Sequence, residues 1–264
     1  LIFILMRGVR PKKRFSQHFL KDEGVARRVS ESLLGEGCDS VLEIGPGTGM
    51  LTGFLLKRGF SDFRVVEIDR DSVEYLKKNL PNLGNNIIEG DFLKLDLDIF
   101  PGTIAIVGNF PYGISAPILF RVLKYRHKVK ELTGMFQHEV AQRICAGPGS
   151  RTYGILSVLI QAYYAAEYLF TVSEYAFSPP PKVKSGVIRL RRNNINKLDC
   201  DEELFFRVVK VAFNQRRKIL RNSIRASFRL LSEDNPVLSL RPEQLAVQQF
   251  VDLTGWIAEN ALLE

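Results

Sequence analysis

Ser40-Val41-Leu42-Glu43-Ile44-Gly45-Pro46-Gly47-Thr48-Gly49-Met50 is the stretch from which the fold can be read. Residues 40–44 have the composition of a short buried strand. Three glycines follow at once, and Met50 to Lys57 carries a helical apolar pattern. Strand, glycine turn and helix in that order open a Rossmann-like sheet, with ligand held at the turn. Glycine lets backbone approach such a ligand closely. A dinucleotide turn is spaced G-x-G-x-x-G, and here Met50 stands in the last glycine's place. The turn is therefore poorly matched to a pyrophosphate and better suited to a smaller ligand such as S-adenosylmethionine.

Outward from this turn the pattern repeats. Phe63 to Ile68 reads as the next strand, ending Glu67-Ile68-Asp69. An acid about twenty residues past the first glycine is where a ribose diol is held. Glu67 is the choice, because its carboxylate can accept from both hydroxyls, and Asp69 is expected to cap the helix starting near Asp71. Asn86 to Glu89 forms a third strand before Gly90-Asp91-Phe92. Asp91 either accepts from an adenine amine, with Phe92 against the ring, or is a turn aspartate.

The next apolar run, Ile104 to Val107, leads into Asn109-Phe110-Pro111-Tyr112. Pro111 cannot continue a ladder, so the chain turns out of the sheet at the edge where α/β sheets bind ligands. These residue types suit methylation of a planar amine, whose lone pair is delocalised into its ring. The Asn109 side-chain oxygen and the Phe110 carbonyl could each accept an amine proton and localise that pair. Tyr112 could stack on the base. Taken alone, the four residues read more readily as a turn with an amide cap.

Further on come a helix (114–123), a strand (132–137), a helix from Glu139 and an apolar helix from Ile155 to Tyr164. Gly147-Pro148-Gly149-Ser150 forms a loop between those two helices. Strands at 167–172 and 183–190 flank a stiff proline loop. Phe177, just before the prolines, is either an aromatic platform for a flipped base or a core-edge aromatic. Arg191-Arg192-Asn193-Asn194 reads as a linker, and the remainder as helical. Arg217, Arg221, Arg225 and Arg229 recur every four residues, which on one helix puts them on one face. No acid occurs from Leu204 to Ser232, so an RNA-backbone stripe is favoured over a merely solvated face.

Before the sheet, Arg7, Arg10, Lys12, Lys13 and Arg14 form a basic arm that is either a solvated tail or a phosphate contact. Phe15 to Leu20 follows, a hydrophobic staple on the plainest reading. Asp22 is a plausible N-cap for a helix with Val25, Val29 and Leu33 on one face. Leu1 to Leu5 is too short for a signal or membrane segment, and Met6 is read as the natural start.

The 264 residues carry a net charge of +8, which favours an anionic partner. Apolar content of 45% and charged content of 25% are those of a soluble globular chain. Cys38, Cys145 and Cys200 lie far apart and form no C-x-x-C pair, and His18, His127 and His138 add no ligand spacing. No metal is expected, and the thiols suit a reducing compartment.

Several pieces together resemble one family, the ribosomal RNA adenine dimethyltransferases. They are Gln17-His18-Phe19-Leu20, the Glu43 to Gly49 turn, Glu67-Ile68-Asp69, Gly90-Asp91, Asn109 to Tyr112, Phe177 to Val183, and Phe213-Asn214-Gln215-Arg216-Arg217-Lys218-Ile219-Leu220-Arg221-Asn222. The last resembles the small-subunit branch rather than the large-subunit, macrolide-resistance branch. The resemblance implies an α/β fold: a basic arm (1–20), a Rossmann-like S-adenosylmethionine-dependent methyltransferase domain with a mostly parallel seven-stranded sheet (21–192), and a small all-helical RNA-binding domain (193–264). It implies dimethylation of the N6 amines of two adjacent adenosines near the 3′ end of 16S rRNA, in an immature 30S subunit, as a step in ribosome biogenesis.

Donor contacts are implied at His18, Leu20, Gly45, Gly47, Glu67, Ile68, Asp91, Phe92 and Asn109. Reaction-site roles fall to Asn109, Phe110, Pro111, Tyr112 and Phe177, and RNA contacts to Arg216, Arg217, Lys218, Arg221 and Arg225. A cytoplasmic monomer without membrane attachment is expected. Two positions depart from the family: His18 replaces a usual asparagine, and Phe110 a usual leucine or isoleucine. The competing readings are an enzyme acting on one large-subunit adenosine, a non-catalytic ribosome-assembly protein, and a dinucleotide dehydrogenase. The basic C-terminal motif, the intact donor site and the Met50 spacing argue against them in turn.

Overall fold

A computed structural model describes residues 9–262 apart from 13, 14 and 16. Leu1 to Leu5, the start assigned at Met6, and Arg7, Lys13 and Arg14 of the arm lie outside the described residues. The chain forms two compact units, Leu1–Ala141 with Glu167–Arg192, and Gln142–Ala166 with Asn193–Glu264.

In chain order the elements up to the linker are β1 (Phe19–Leu20), α1 (Glu23–Ser32), β2 (Ser40–Ile44), α2 (Met50–Leu56), β3 (Phe63–Glu67), α3 (Arg70–Asn79), β4 (Ile87–Glu89), β5 (Ile104–Asn109), α4 (Ser115–Lys124), β6 (Val129–Gln137), α5 (His138–Cys145), α6 (Ile155–Gln161), β7 (Tyr164–Val172), β8 (Phe177–Ser178) and β9 (Ser185–Arg192). Seven strands make one sheet in the order β4-β3-β2-β5-β6-β9-β7. β2 pairs in parallel with β3 and β5, β3 with β4, and β5 with β6; β9 runs antiparallel to β6. Every residue of β2, and β5 from Ile104 to Gly108, is buried, as strands covered on both faces must be.

The chain leaves β2 for β3 and β4 on one side, then returns to β5 on β2's other side. That reversal opens a crevice beyond the C-terminal ends of β2 and β5. Two paired glycines bring the central strands close there. A Cβ on Gly108 would lie 2.7 Å from the Ile44 carbonyl oxygen, and one on Gly134 2.2 Å from that of Gly108. Both would also strike the Phe110 ring, which therefore has room only because neither residue has a side chain.

Asp22 caps α1, accepting from the Val25 amide at 2.9 Å, and Asp69 caps α3, accepting from Asp71 at 3.3 Å. Val29 and Leu33 are buried and Val25 packs beside them, so that helical face meets the core.

The second unit contains α6, α7 (Glu202–Asn214), α8 (Leu220–Arg225) and α9 (Val247–Asn260), with a ribbon of β10 (Arg229–Leu230) and β11 (Ala261–Leu262). Phe205, Val208, Val209, Ile224, Phe250, Leu253 and Ile257 fill its core. Residues 142–166, placed in the first domain on sequence, fall in this unit instead, because the apolar face of α6 packs on α7 and α9. α6 also stops at Gln161 rather than Tyr164, which opens β7.

The expected arginine stripe is broken. α7 ends at Asn214, Arg217 stands in the following turn, only Arg221 and Arg225 share a helix, and Arg229 belongs to the ribbon. Its charge is also partly compensated. Glu233, one residue beyond the acid-free window, lies 3.7 Å from Arg221 and 3.0 Å from Arg225. Arg216 donates to the carbonyls of Ser150 and Arg151, and Gly149 donates to Glu243, so the Gly147–Ser150 loop is tied down. Arg217 and Lys218 are exposed.

Candidate active site

A cavity of about 320 Å³ occupies the crevice, entirely within the first unit. Its walls come from the ends of four parallel strands. β2 supplies Gly45 and Gly47, β3 Glu67 and Ile68, β4 Asp91 and Phe92, and β5 Asn109 through Tyr112, with His18 closing one side. Residues scattered over nearly a hundred positions meet because parallel strands end at one edge.

Gly45 and Gly47 hold φ of 65° and 55°, a backbone that side chains disfavour. A Cβ on Gly47 would in addition lie 2.8 Å from the Phe19 ring. Glu67 clasps the turn. Its carboxylate accepts from the Gly47 amide at 3.1 Å and the Asp69 amide at 2.9 Å. Burial pushes its pKa up, and these amides pull it back. Beside it Ile68 is 46% exposed, an apolar surface left open at the cavity wall. Asp91 accepts from the Leu93 amide at 2.9 Å, so one of its oxygens serves a turn while the residue still lines the cavity.

Behind the turn, Glu43 is fully buried, and its Oε2 has no hydrogen-bond partner among the described residues. Burial pushes its carboxyl up to about 8; the Thr52 hydroxyl opposes the shift and the Glu67 charge adds to it.

At the end of β5, Asn109 Nδ2 donates to the His18 carbonyl at 2.8 Å. This commits the amide nitrogen and leaves Oδ1 as an acceptor to which no described residue donates. The Phe110 carbonyl is likewise unclaimed, while its amide donates to Met135 at 3.2 Å. The Phe110 ring is buried against Phe136, centroids 4.8 Å apart, so the bulkier residue is absorbed over Gly108 and Gly134. Tyr112 is fixed by its hydroxyl, 2.7 Å from Ser185 Oγ, with the His18 ring 5.7 Å away. Burial raises its pKa, keeping the phenol neutral.

Two residues expected in the site have side chains that do not line this cavity. Leu20 and Phe177 face each other across the β1–β8 pair and are buried in the core, where neither lines the cavity. Phe177 is 1% exposed, which favours the core-edge alternative over the platform. Pairing of β1 with β8 satisfies backbone at that point and carries both side chains inward.

Conversely, Gln17 and Ser185 have placements that local sequence does not signal. Gln17 accepts from the Lys12 amide and donates to Asp69, and Lys12 pairs with Asp69 and, at 2.7 Å, with Asp71. The described part of the arm thus docks on the start of α3. His18 Nδ1 lies 2.8 Å from the Pro179 carbonyl, joining the cavity wall to the proline loop.

A mostly parallel sheet with a glycine turn, an acid ending the next strand of the sheet and a ligand crevice at the switch point defines a Rossmann-like protein of the methyltransferase type. Residues 8–255 match the family model described as ribosomal RNA adenine dimethylase, and the chain belongs to that family. It is 54% identical over 256 residues to the ribosomal RNA small subunit methyltransferase A of Cytophaga hutchinsonii, covering 96% of this chain and 99% of that one. The protein of the same name from Parabacteroides distasonis is 55% identical over 255 residues, 94% of each chain. Among solved structures, a dimethyladenosine transferase from Plasmodium falciparum shares the fold, with a TM-score of 0.75 at 24% identity over 93% of this chain and 100% of that one. The 23S rRNA methyltransferase ErmE aligns with a TM-score of 0.67 at 26% identity, over 89% and 98%. No helix among the described residues is long and apolar enough to cross a membrane.

Proposed function

We propose that this chain dimethylates the N6 amines of two adjacent adenosines near the 3′ end of 16S rRNA, with S-adenosylmethionine as donor, on an immature small subunit in the cytoplasm. The observation that carries the reading is the pair of unclaimed acceptors at the end of β5, Asn109 Oδ1 and the Phe110 carbonyl, in the cavity that the glycine turn also lines.

The cavity fits the donor by the chemistry of its walls. Glu67 offers remaining lone pairs to ribose hydroxyls, Ile68 and Phe92 offer apolar surface to an adenine ring, and Asp91 can accept from an adenine amine. Positive-φ glycines leave room for the methionine portion. When bound, S-adenosylmethionine supplies an electrophilic methyl carbon.

The protein's own part is positioning. The His18 carbonyl holds the Asn109 amide so that its oxygen, rather than its nitrogen, is available to the substrate amine. Two accepted hydrogen bonds draw the amine nitrogen towards a tetrahedral shape and localise its lone pair for in-line attack. The nitrogen becomes acidic only as it is alkylated, so no strong base is required, and a neutral Tyr112 beside the base accords with that. Exposed Arg217 and Lys218 of the second unit are the cations best placed by their own surroundings to meet RNA phosphate.

The test is transfer of labelled methyl groups to unmethylated small subunits, with naked 23S rRNA as the parallel substrate. Incorporation into two neighbouring adenosines of 16S rRNA is expected. Incorporation into 23S rRNA alone would reassign the enzyme to the large subunit.

A further inference from the structure

A second cavity, of about 500 Å³, opens on the other side of the glycine turn and shares no lining residue with the first. Arg27 of α1, Phe54 of α2, Lys57 capping the C-terminus of α2, and Asn79 and Asn82 around the end of α3 line it, together with Thr48 and Gly49 of the turn. The Arg27 guanidinium carbon lies 5.6 Å from the centroid of the Phe54 ring, and the Lys57 ammonium 5.2 Å from the same centroid. Both cations are exposed, and neither has an acidic partner among the described residues. Glu23 also lines the cavity and stands four residues before Arg27, the spacing that pairs acid with base on a helix. The guanidinium nevertheless turns to the ring and forms no ion pair with Glu23. Two like charges gathered at one ring repel each other, and an anion between them would relieve that repulsion.

We propose that this cavity takes a backbone phosphate of ribosomal RNA, with Arg27 and Lys57 as its two cations and the Asn82 carboxamide as a neutral donor; Asn79 Nδ2 already donates to the Tyr75 carbonyl at 2.8 Å. The site rests on the rRNA reading above. A backbone phosphate is favoured over a free nucleotide, because Phe54, the aromatic ring of the lining, packs against the core and already has both cations near it.

The experiment compares equilibrium binding of unmethylated small subunits by the wild-type protein and by Arg27→Gln/Lys57→Gln, over a salt titration, with calorimetry of S-adenosylmethionine on both. The variant is expected to bind subunits at least about fivefold more weakly at low salt. Its slope of log affinity against log salt should fall by about 0.7–0.9, the change for one phosphate that is no longer neutralised, with donor affinity unchanged. Equal subunit affinity and slope would overturn the site, as would parallel loss of donor binding, which would mark a structural role. Displacement of wild-type protein from subunits by adenosine monophosphate, to the level of the variant, would assign the cavity to free nucleotide and overturn it too. A wild-type protein that neither binds nor methylates the subunits would sink the rRNA reading and this site with it. One that methylates them while the variant binds equally well sinks this site alone.

Discussion

Glu67 and Glu43 show how two carboxylates on neighbouring strands take different roles from their surroundings. Glu67 ends β3 at the cavity and receives two backbone amides, so its charge is supported where a ribose would lie. Glu67→Ala should raise the donor Kd about 10- to 100-fold, the range for a lost hydrogen bond to a charged group, by calorimetry. Glu43 lies deeper, and its carboxyl is pushed up to about 8. Between an unfolded value near 4.5 and that folded value, the native state holds a proton that the unfolded chain has released. Stability must therefore fall as pH rises from about 5 to 8. Thermal melts of Glu43→Gln, which has no proton to lose, should be flatter over that window than those of the wild type; identical slopes would remove Glu43 as the cause. Neither property is visible in Glu43 as a letter, because burial depth depends on the strands around it. The burial of Phe177 is hidden from sequence for the same reason: its partner in the ladder, Leu20, is far away in the chain.

At the scale of elements, the β2–α2 unit is legible because its signals are local: a five-residue strand built on Val41, Leu42 and Ile44, glycines where positive φ is required, and a helix with an apolar face. The arginine stripe is misread because period four was extended through a helix end that carries no proline or glycine. Gln215 already departs from helical geometry, with φ −122° and ψ 55°. Close approach of β2, β5 and β6 is a property of elements that one substitution can test. Gly134→Ala places a methyl group against the Gly108 carbonyl and the Phe110 ring. It should cost about 1–3 kcal/mol of stability, the usual penalty for overpacking, measured by denaturant unfolding. Asp22→Ala, which removes only the α1 cap, should cost about 1 kcal/mol.

For the whole molecule, the net charge of +8 matters less than which cations remain free to meet an anion. Lys12, Arg216, Arg221 and Arg225 are engaged by carboxylates or carbonyls, whereas Arg217 and Lys218 are exposed in the turn after α7. Substituting Arg217 and Lys218 together by alanine should weaken subunit binding and flatten its salt dependence by about 0.7–0.9 for each phosphate left without its cation. Glu233→Gln, by releasing Arg221 and Arg225, should tighten binding at low salt. A filter-binding titration that found both variants unchanged would remove this turn from the RNA interface.

The most direct measurement is single-turnover methylation of unmodified small subunits by Asn109→Ala, at donor and subunit concentrations that saturate both proteins. If Asn109 Oδ1 draws the amine into line, the rate should fall at least about 100-fold, the scale of losing one preorganised hydrogen-bonding group, while donor affinity stays within a few-fold of the wild type. A variant that methylates both adenosines at close to the wild-type rate would contradict the account.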